Sequence, residues 1–303
     1  MIDAAADLLT WYAVHGRSHL PWRRTRDAYH VVVSEVMLQQ TQVDRVVPIF
    51  DAFIARFPTF RSLADAAPGD VVRAWRGLGY NSRAVRLQRL ARAVIDECGG
   101  ALPRARDALL ALPGVGPYTA SAVRAFAYDE NEAAVDTNVR RVVHRTLFGV
   151  EYPPRVGARD LAAAAAAAVP PQRGHDWNSA MMDLGASICT ARAPKCLLCP
   201  LRRRCAAAPV DAAALARLAG TFAKKPPQEA LPFEHSRRFL RGRIIERLRD
   251  ARPDEYLSLT MLRRELRGVV PGDRLFEIPA VVDALAREGI VSASDRGIAL
   301  RAL

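Results

Sequence analysis

Apolar residues recur at spacings of three and four along most of this chain, the pattern of helices that each bury one face. On that pattern residues 3–15, 70–76, 82–97, 104–112 and 160–169 form helices, and no segment before residue 210 reads as a convincing strand. A further helix starts near residue 136, where Val139, Val142, Val143 and Leu147 fall at helical spacing. Residues 29–57 carry a conflict of signals. Val31-Val32-Val33-Ser34-Glu35-Val36 has the β-branched content of a strand. Yet Val32, Val36, Val43 and Val47 make one helical face and Glu35, Gln39 and Gln42 another, so periodicity decides for helix. Beyond residue 210 the texture changes. Residues 210–236, Ala-rich and then Lys224-Lys225-Pro226-Pro227, read as a linker; 237–250, 260–266 and 279–288 read as helices, and 289–293 with 297–300 as a two-stranded wing.

The polar positions inside this helical pattern carry the candidate chemistry. Residues 112–120, Leu-Pro-Gly-Val-Gly-Pro-Tyr-Thr-Ala, set glycines where φ can be positive and a proline where a helix begins. Such a helix, hairpin, helix unit presents amides to an anion, and Gly114, Val115, Gly116 and Thr119 are the candidates for holding a phosphate. Asp136 sits at the start of the next helix, either as a plain cap or as an ionised acid facing what the hairpin presents. Glu35 lies among valines; burial would raise its pKa and let it hold a proton for donation, whereas a solvated face would leave it ordinary. Trp22 beside Arg23 and Arg24 reads as an extended loop, able to stack on a base or to anchor a core edge. Tyr80, after Gly77 and Gly79, stands at a loop tip where an aromatic can wedge into a base stack.

Composition narrows the partner. The 303 residues carry a net charge of +12, nearly all of it arginine, since lysine occurs only at Lys195, Lys224 and Lys225. A polyanion is implied and nucleic acid leads, although part of the arginine content matches an Ala- and Arg-rich compositional bias. The region from 237 to 303 then reads as winged-helix-like, with a third helix suited to a DNA groove. No segment is long enough to span a bilayer and the N-terminus lacks a basic, apolar leader, so a cytoplasmic protein, nucleoid-associated when on DNA, is expected. Four of the five cysteines, Cys189, Cys196, Cys199 and Cys205, fall in one short stretch. One C-x2-C within wider gaps is a poor match to paired zinc knuckles and suits an iron–sulfur cluster. Cys98 stands apart as a structural residue.

Taken together, residues 34–41 (Ser-Glu-Val-Met-Leu-Gln-Gln-Thr), the 112–120 hairpin, residues 135–139 (Val-Asp-Thr-Asn-Val) and the C-x6-C-x2-C-x5-C loop closely resemble the MutY-type adenine DNA glycosylases of the helix-hairpin-helix, endonuclease III-like superfamily. The resemblance covers residues 1 to about 209. It implies a mainly α protein with a two-lobed helical glycosylase core over 1–209 and a 4Fe-4S cluster held by the four cysteines; beyond it the residues themselves read as a linker over 210–236 and a small winged-helix-like α+β domain over 237–303. The implied activity is removal of adenine mispaired with 8-oxoguanine or guanine in double-stranded DNA, by a monomer. Glu35 would be the general acid that protonates adenine N7, and Asp136 the carboxylate that stabilises the oxocarbenium ion, with Tyr118 and Asn138 orienting the pair. Trp22, Arg23, Leu38 and Asp183 match pocket positions, while Gln40 and Tyr80 match residues inserted around the flipped base.

Bifunctional relatives carry a lysine where Tyr118 stands, so an enzyme with weak or no strand-nicking lyase step is expected. The chain departs from the family at its C-terminus, where well-studied members have a Nudix-like domain that recognises 8-oxoguanine. Two rival readings are a thymine glycosylase acting on T:G mismatches and a non-catalytic iron–sulfur, winged-helix DNA-binding regulator. Glu35 in its full motif argues against the first, and the presence of both Glu35 and Asp136 against the second.

Overall fold

The computed structural model describes residues 2–152, 156–222, 232–252 and 255–302. In chain order it contains α1 (Ile2–His15), α2 (Ala28–Leu38), α3 (Val43–Arg56), α4 (Phe60–Ala64), α5 (Pro68–Ala74), α6 (Ser82–Glu97), α7 (Arg106–Ala111), α8 (Pro117–Phe126), α9 (Thr137–Phe148), α10 (Ala158–Ala167), α11 (Gly174–Ser187), α12 (Ala212–Phe222), α13 (Arg237–Asp250), α14 (Leu259–Leu266) and α15 (Ile278–Glu288). Two antiparallel strands, β1 (Val291–Ser294) and β2 (Gly297–Leu300), follow with Val291 opposite Leu300. The expected mainly helical architecture with a small terminal wing is present.

The chain forms two compact units. The first takes Met1–Glu35 and Leu102–Lys225, and its core gathers Leu8 of α1, Val139, Val142 and Val143 of α9, Leu161 of α10, and Trp177, Met181 and Leu184 of α11. The second takes Val36–Ala101 and Pro226–Leu303, and its core joins Val72 and Val85 to Leu240, Ile244, Leu248, Leu257, Val282 and Ile298. The terminal α+β region therefore shares apolar surface with α5 and α6 and does not form a core by itself. Polar ties reinforce this: the Gly69 amide donates to the Arg301 carbonyl at 2.6 Å, and Arg249 donates to the Val72 carbonyl at 2.9 Å.

Three local expectations are corrected. Residues 29–57 are two helices, because α2 stops at Leu38 and α3 starts at Val43. The reason is tertiary: the buried Arg83 guanidinium takes the carbonyls of Val36, Met37 and Gln39 at 2.6–2.9 Å, and Gln40 turns the backbone left-handed at φ 55°. Gln39 and Gln42 thus do not continue the Glu35 face of one helix. Residues 212–222, expected within the linker, form α12, whose Leu215 is buried. Trp22 lies in a short 3-10 turn started by Pro21, not in an extended loop, and its ring is buried.

Candidate active site

The first unit brings Glu35, Tyr118, Asp136, Asn138 and Arg23 into one polar cluster. Glu35 arrives on α2, whose Val31, Val32, Val33 and Val36 are all buried, so its carboxyl is carried into the interior at 7% exposure. Burial, the dominant cause, pushes its pKa up to about 7; a hydrogen bond from Tyr118 and the charge of Arg23 pull the other way, and Asp136 adds to the rise. Tyr118 is the second residue of α8, presented by the Gly116-Pro117 start of that helix. Its phenol is driven well above the ordinary value by burial and by the neighbouring Glu35 and Asp136 carboxylates, so it remains a proton donor.

Asp136 is the N-cap of α9: one carboxylate oxygen accepts from the Val139 amide at 2.7 Å and the other from the Asn138 side-chain amide at 3.1 Å. Cap and site residue are therefore the same group, with both oxygens engaged as acceptors. Asn138 is in turn oriented by Arg141, which donates to its Oδ1 at 2.9 Å and to the Gly185 carbonyl at 2.7 Å. Gly185 is required there, because a Cβ would come within 2.7 Å of Asn138 Cβ. The segment entering Asp136 is fixed by fully buried Asn178, which accepts from the Ala134 amide at 2.7 Å and donates to the Glu132 and Gly174 carbonyls at 2.8 and 2.7 Å.

Arg23 lies beside this cluster with its guanidinium over the Phe126 ring, 5.5 Å from the centroid. Its Nη1 is a buried donor with no protein acceptor among the described residues, the kind of group that a substrate acceptor satisfies. Asp183 lies beside Arg23. Its carboxylate is taken by Arg17, through the backbone amide at 2.8 Å, Nε at 2.9 Å and Nη2 at 2.7 Å, with Arg23 Nη2 at 3.8 Å. It is thus an anchor for Arg17 and Arg23 before it is a ligand for anything else. Arg17, Arg141, Asn178 and Gly185 had no motif to mark them; their roles depend on partners far away in sequence.

The hairpin turns at Gly114, with φ 81°, whereas Gly116 caps α8 in extended backbone and does not use a positive φ. Thr119 is buried, and the Val115 amide donates to the Leu112 carbonyl at 3.2 Å, so Val115 shapes the turn and spends its donor within it. Leu38, Gln40 and Tyr80 belong to the second unit. There Leu38 is half-buried at the end of α2 and Gln40 is exposed, while Tyr80 is 38% exposed at φ 43°. Arg83 ties their two loops together, donating to Gln39, Leu78 and Gly79 carbonyls and to the Thr41 hydroxyl.

Cys189, Cys196, Cys199 and Cys205 all line one pocket with Arg145 and Arg202. No three described His, Cys, Asp or Glu side chains meet closely enough to hold a single ion. Four thiols around a shared space are a donor set of the kind that holds an iron–sulfur cluster. The loop is secured from α9. Arg145 donates to the Thr190 and Ala191 carbonyls, at 2.7 and 3.1 Å, and to Cys189 Sγ at 3.6 Å, and it is bidentate to Glu151. Arg141 adds a 2.7 Å bond to the Cys189 carbonyl. One helix thus begins at Asp136 and ends in the arginines that order the cysteine loop.

This fold and this cluster of acids belong to a recognisable class. Residues 33–163 match the HhH-GPD superfamily of base excision DNA repair proteins. Among solved structures, a thermostable thymine-DNA glycosylase superposes with a TM-score of 0.61 at 33% identity, over 67% of this chain and 93% of that one. An adenine DNA glycosylase of Mycolicibacterium smegmatis is 44% identical over 255 residues, 83% of this chain and 82% of the relative. The human adenine DNA glycosylase is 42% identical over 210 residues, 66% of this chain but 38% of that longer protein. The chain belongs to the adenine DNA glycosylase family.

Proposed function

We propose that the chain excises adenine from A:8-oxoguanine and A:G mispairs in duplex DNA, with Glu35 as general acid and Asp136 as the carboxylate facing the sugar. The observation that carries this reading is the pairing of a buried carboxyl, held near pKa 7, with a capped carboxylate beside it. Two acids kept in unlike environments divide proton donation and charge stabilisation between them. Glu35 gives its proton to adenine N7, the N9–C1′ bond breaks with its electrons leaving on the base, and Asp136 stabilises the oxocarbenium ion, as a transient covalent sugar adduct, until water adds at C1′. Tyr118 donates to the Glu35 carboxyl and fixes its orientation, Asn138 holds Asp136, and Arg23 Nη1 offers a donor to the extruded base. Gly114, Gly116 and the first turn of α8 seat a phosphate.

The four cysteines would hold a 4Fe-4S cluster, which supplies structural order to a basic loop and takes no part in hydrolysis. A monomer acting on DNA in the cytoplasm, at the nucleoid, fits this reading; among the described residues no helix is long and apolar enough to cross a membrane. The test is single-turnover base release from duplexes carrying A:8-oxoguanine, A:G and T:G. Release of adenine from the first two is expected. Release of thymine alone would favour the thymine glycosylase reading, and binding without release a non-catalytic regulator.

A further inference from the structure

The second unit contains a groove of about 930 Å³ that the acid cluster does not use. Its walls come from both parts of the unit: Gln40, Arg45, Tyr80 and Arg86 on one side, Arg237, Arg238, Arg241 and Arg243 of α13 on the other. The acid lining it, Glu288, is already bidentate to Arg241. Arg45, Arg86, Arg238 and Arg243 are exposed and have no carboxylate partner among the described residues. Four unspent guanidinium groups along one channel make a strip of positive potential, and each keeps a planar fork of donors for a phosphate.

The rim is built with equal care. Gln40 and Tyr80 both hold left-handed backbone, at φ 55° and 43°, a strain that non-glycine residues sustain only where surrounding contacts impose it. Arg83 imposes it from below. From α13, Arg238 stacks on the Tyr80 ring at 4.1 Å and reaches Phe233 at 5.8 Å. A guanidinium stacked by its face still offers its N–H groups outward in its plane, so Arg238 can brace the ring and meet an anion together. Within the groove, the positive charge contributed by the terminal module thus lies on its first helix, whereas the third helix contributes apolar Val281 and Ala284 and the neutralised Glu288.

We propose that this groove binds the sugar–phosphate backbone of duplex DNA, and that Arg238 is a positioning residue holding Tyr80 at its rim. The role assigned to Tyr80 rests on the glycosylase reading; the backbone site does not. Full-length protein is titrated with a short undamaged duplex at several salt concentrations, comparing wild type with the triple variant R45Q/R86Q/R243Q. Loss of affinity by at least about tenfold and a salt slope flattened by roughly two to three units, near 0.9 per phosphate contact, are expected. An unchanged slope overturns the site, as does loss of binding to phosphatidylglycerol vesicles with duplex binding intact. Protection of these arginines by duplex against phenylglyoxal in the wild-type protein is expected too, and its absence overturns the site without any variant.

For Arg238, 2-aminopurine flanking an A:G mispair reports unstacking. R238K should keep the wild-type salt slope yet lose most of the fluorescence rise, because lysine restores charge without a planar face, and R238Q should lose both. Full fluorescence rise in R238Q overturns the positioning role. The undamaged duplex needs no base release, so failure of the glycosylase reading leaves the groove test standing.

Discussion

The acid cluster and cysteine loop of the first unit and the groove of the second use the same residue in opposite ways. In the first, arginines are spent on the protein: Arg17 on Asp183, Arg106 and Arg124 on Glu132, Arg145 on Glu151 and the cysteine loop, Arg141 on Asn138 and two carbonyls. In the second, buried Arg83 and Arg249 serve structure, but Arg45 of α3, Arg86 of α6 and Arg238 and Arg243 of α13 are left without acids among the described residues. Spent arginines fix geometry, which acid catalysis needs, because a proton donor misplaced by an ångström loses most of its effect. Unspent arginines supply affinity, which tolerates variation because phosphate contacts carry no sequence information. Ion pairs consume equal and opposite charges and leave the +12 excess intact, so net charge says that unpaired guanidinium groups exist but not where they stand.

The sharpest way to break this contrast lies in the first unit. Glu35→Gln and Asp136→Asn should each slow single-turnover adenine release by at least ~10²- to 10⁴-fold, as loss of general acid catalysis does, with duplex affinity retained. A variant within a few-fold of wild-type rate would remove these residues from the chemistry.

Next in size is the scaffold. Arg145→Ala leaves Glu151 and two carbonyls without their donor, and losing one partner of a buried pair costs about 3 kcal/mol or more. The melting midpoint should fall by several degrees, and the brown visible absorption expected of the proposed cluster should be lost. Unaltered absorption would show that the loop does not depend on α9.

The third effect follows from the raised pKa of Glu35. The protonated form is the donor, so the rate of adenine release should fall about tenfold per pH unit above pH 7 and level off below it. Stability carries the matching sign. The folded pKa of about 7 exceeds the ordinary 4.5, so burying the ionised group is a penalty present in full above pH 7, which disappears as pH falls towards 4.5. Glu35→Gln should therefore stabilise the fold by up to ~3 kcal/mol at pH 8, with the gain fading by pH 5. Equal gains at both pH values would mean that the folded pKa of Glu35 is not raised above its unfolded value.

The smallest expected signal is an absence. Tyr118 offers no amine to a sugar carbon, so borohydride should trap almost no protein on substrate DNA and abasic product should stay largely unnicked. Efficient trapping would require a lysine to reach the site, and only three exist in the chain.

Much of this was legible before any coordinates, because it depends on neighbours in sequence. The period of Val139, Val142 and Val143 specifies α9, Asp136 caps it, Gly114 and Pro117 make the hairpin, and the valines around Glu35 make it a candidate buried carboxyl; each is a local relation between side-chain type and backbone. What tertiary structure decided are relations across the chain. Arg83 ends α2 by taking its last carbonyls from 46 residues away, and Arg17 claims Asp183 across 166. Gly185 admits Asn138, and α13 builds its charged groove against loops that precede it by more than a hundred and fifty positions. A guanidinium has no period and no preferred neighbour along the chain, so whether it is spent or left free is settled only when the helices have packed and acceptors of distant origin have come within hydrogen-bond reach.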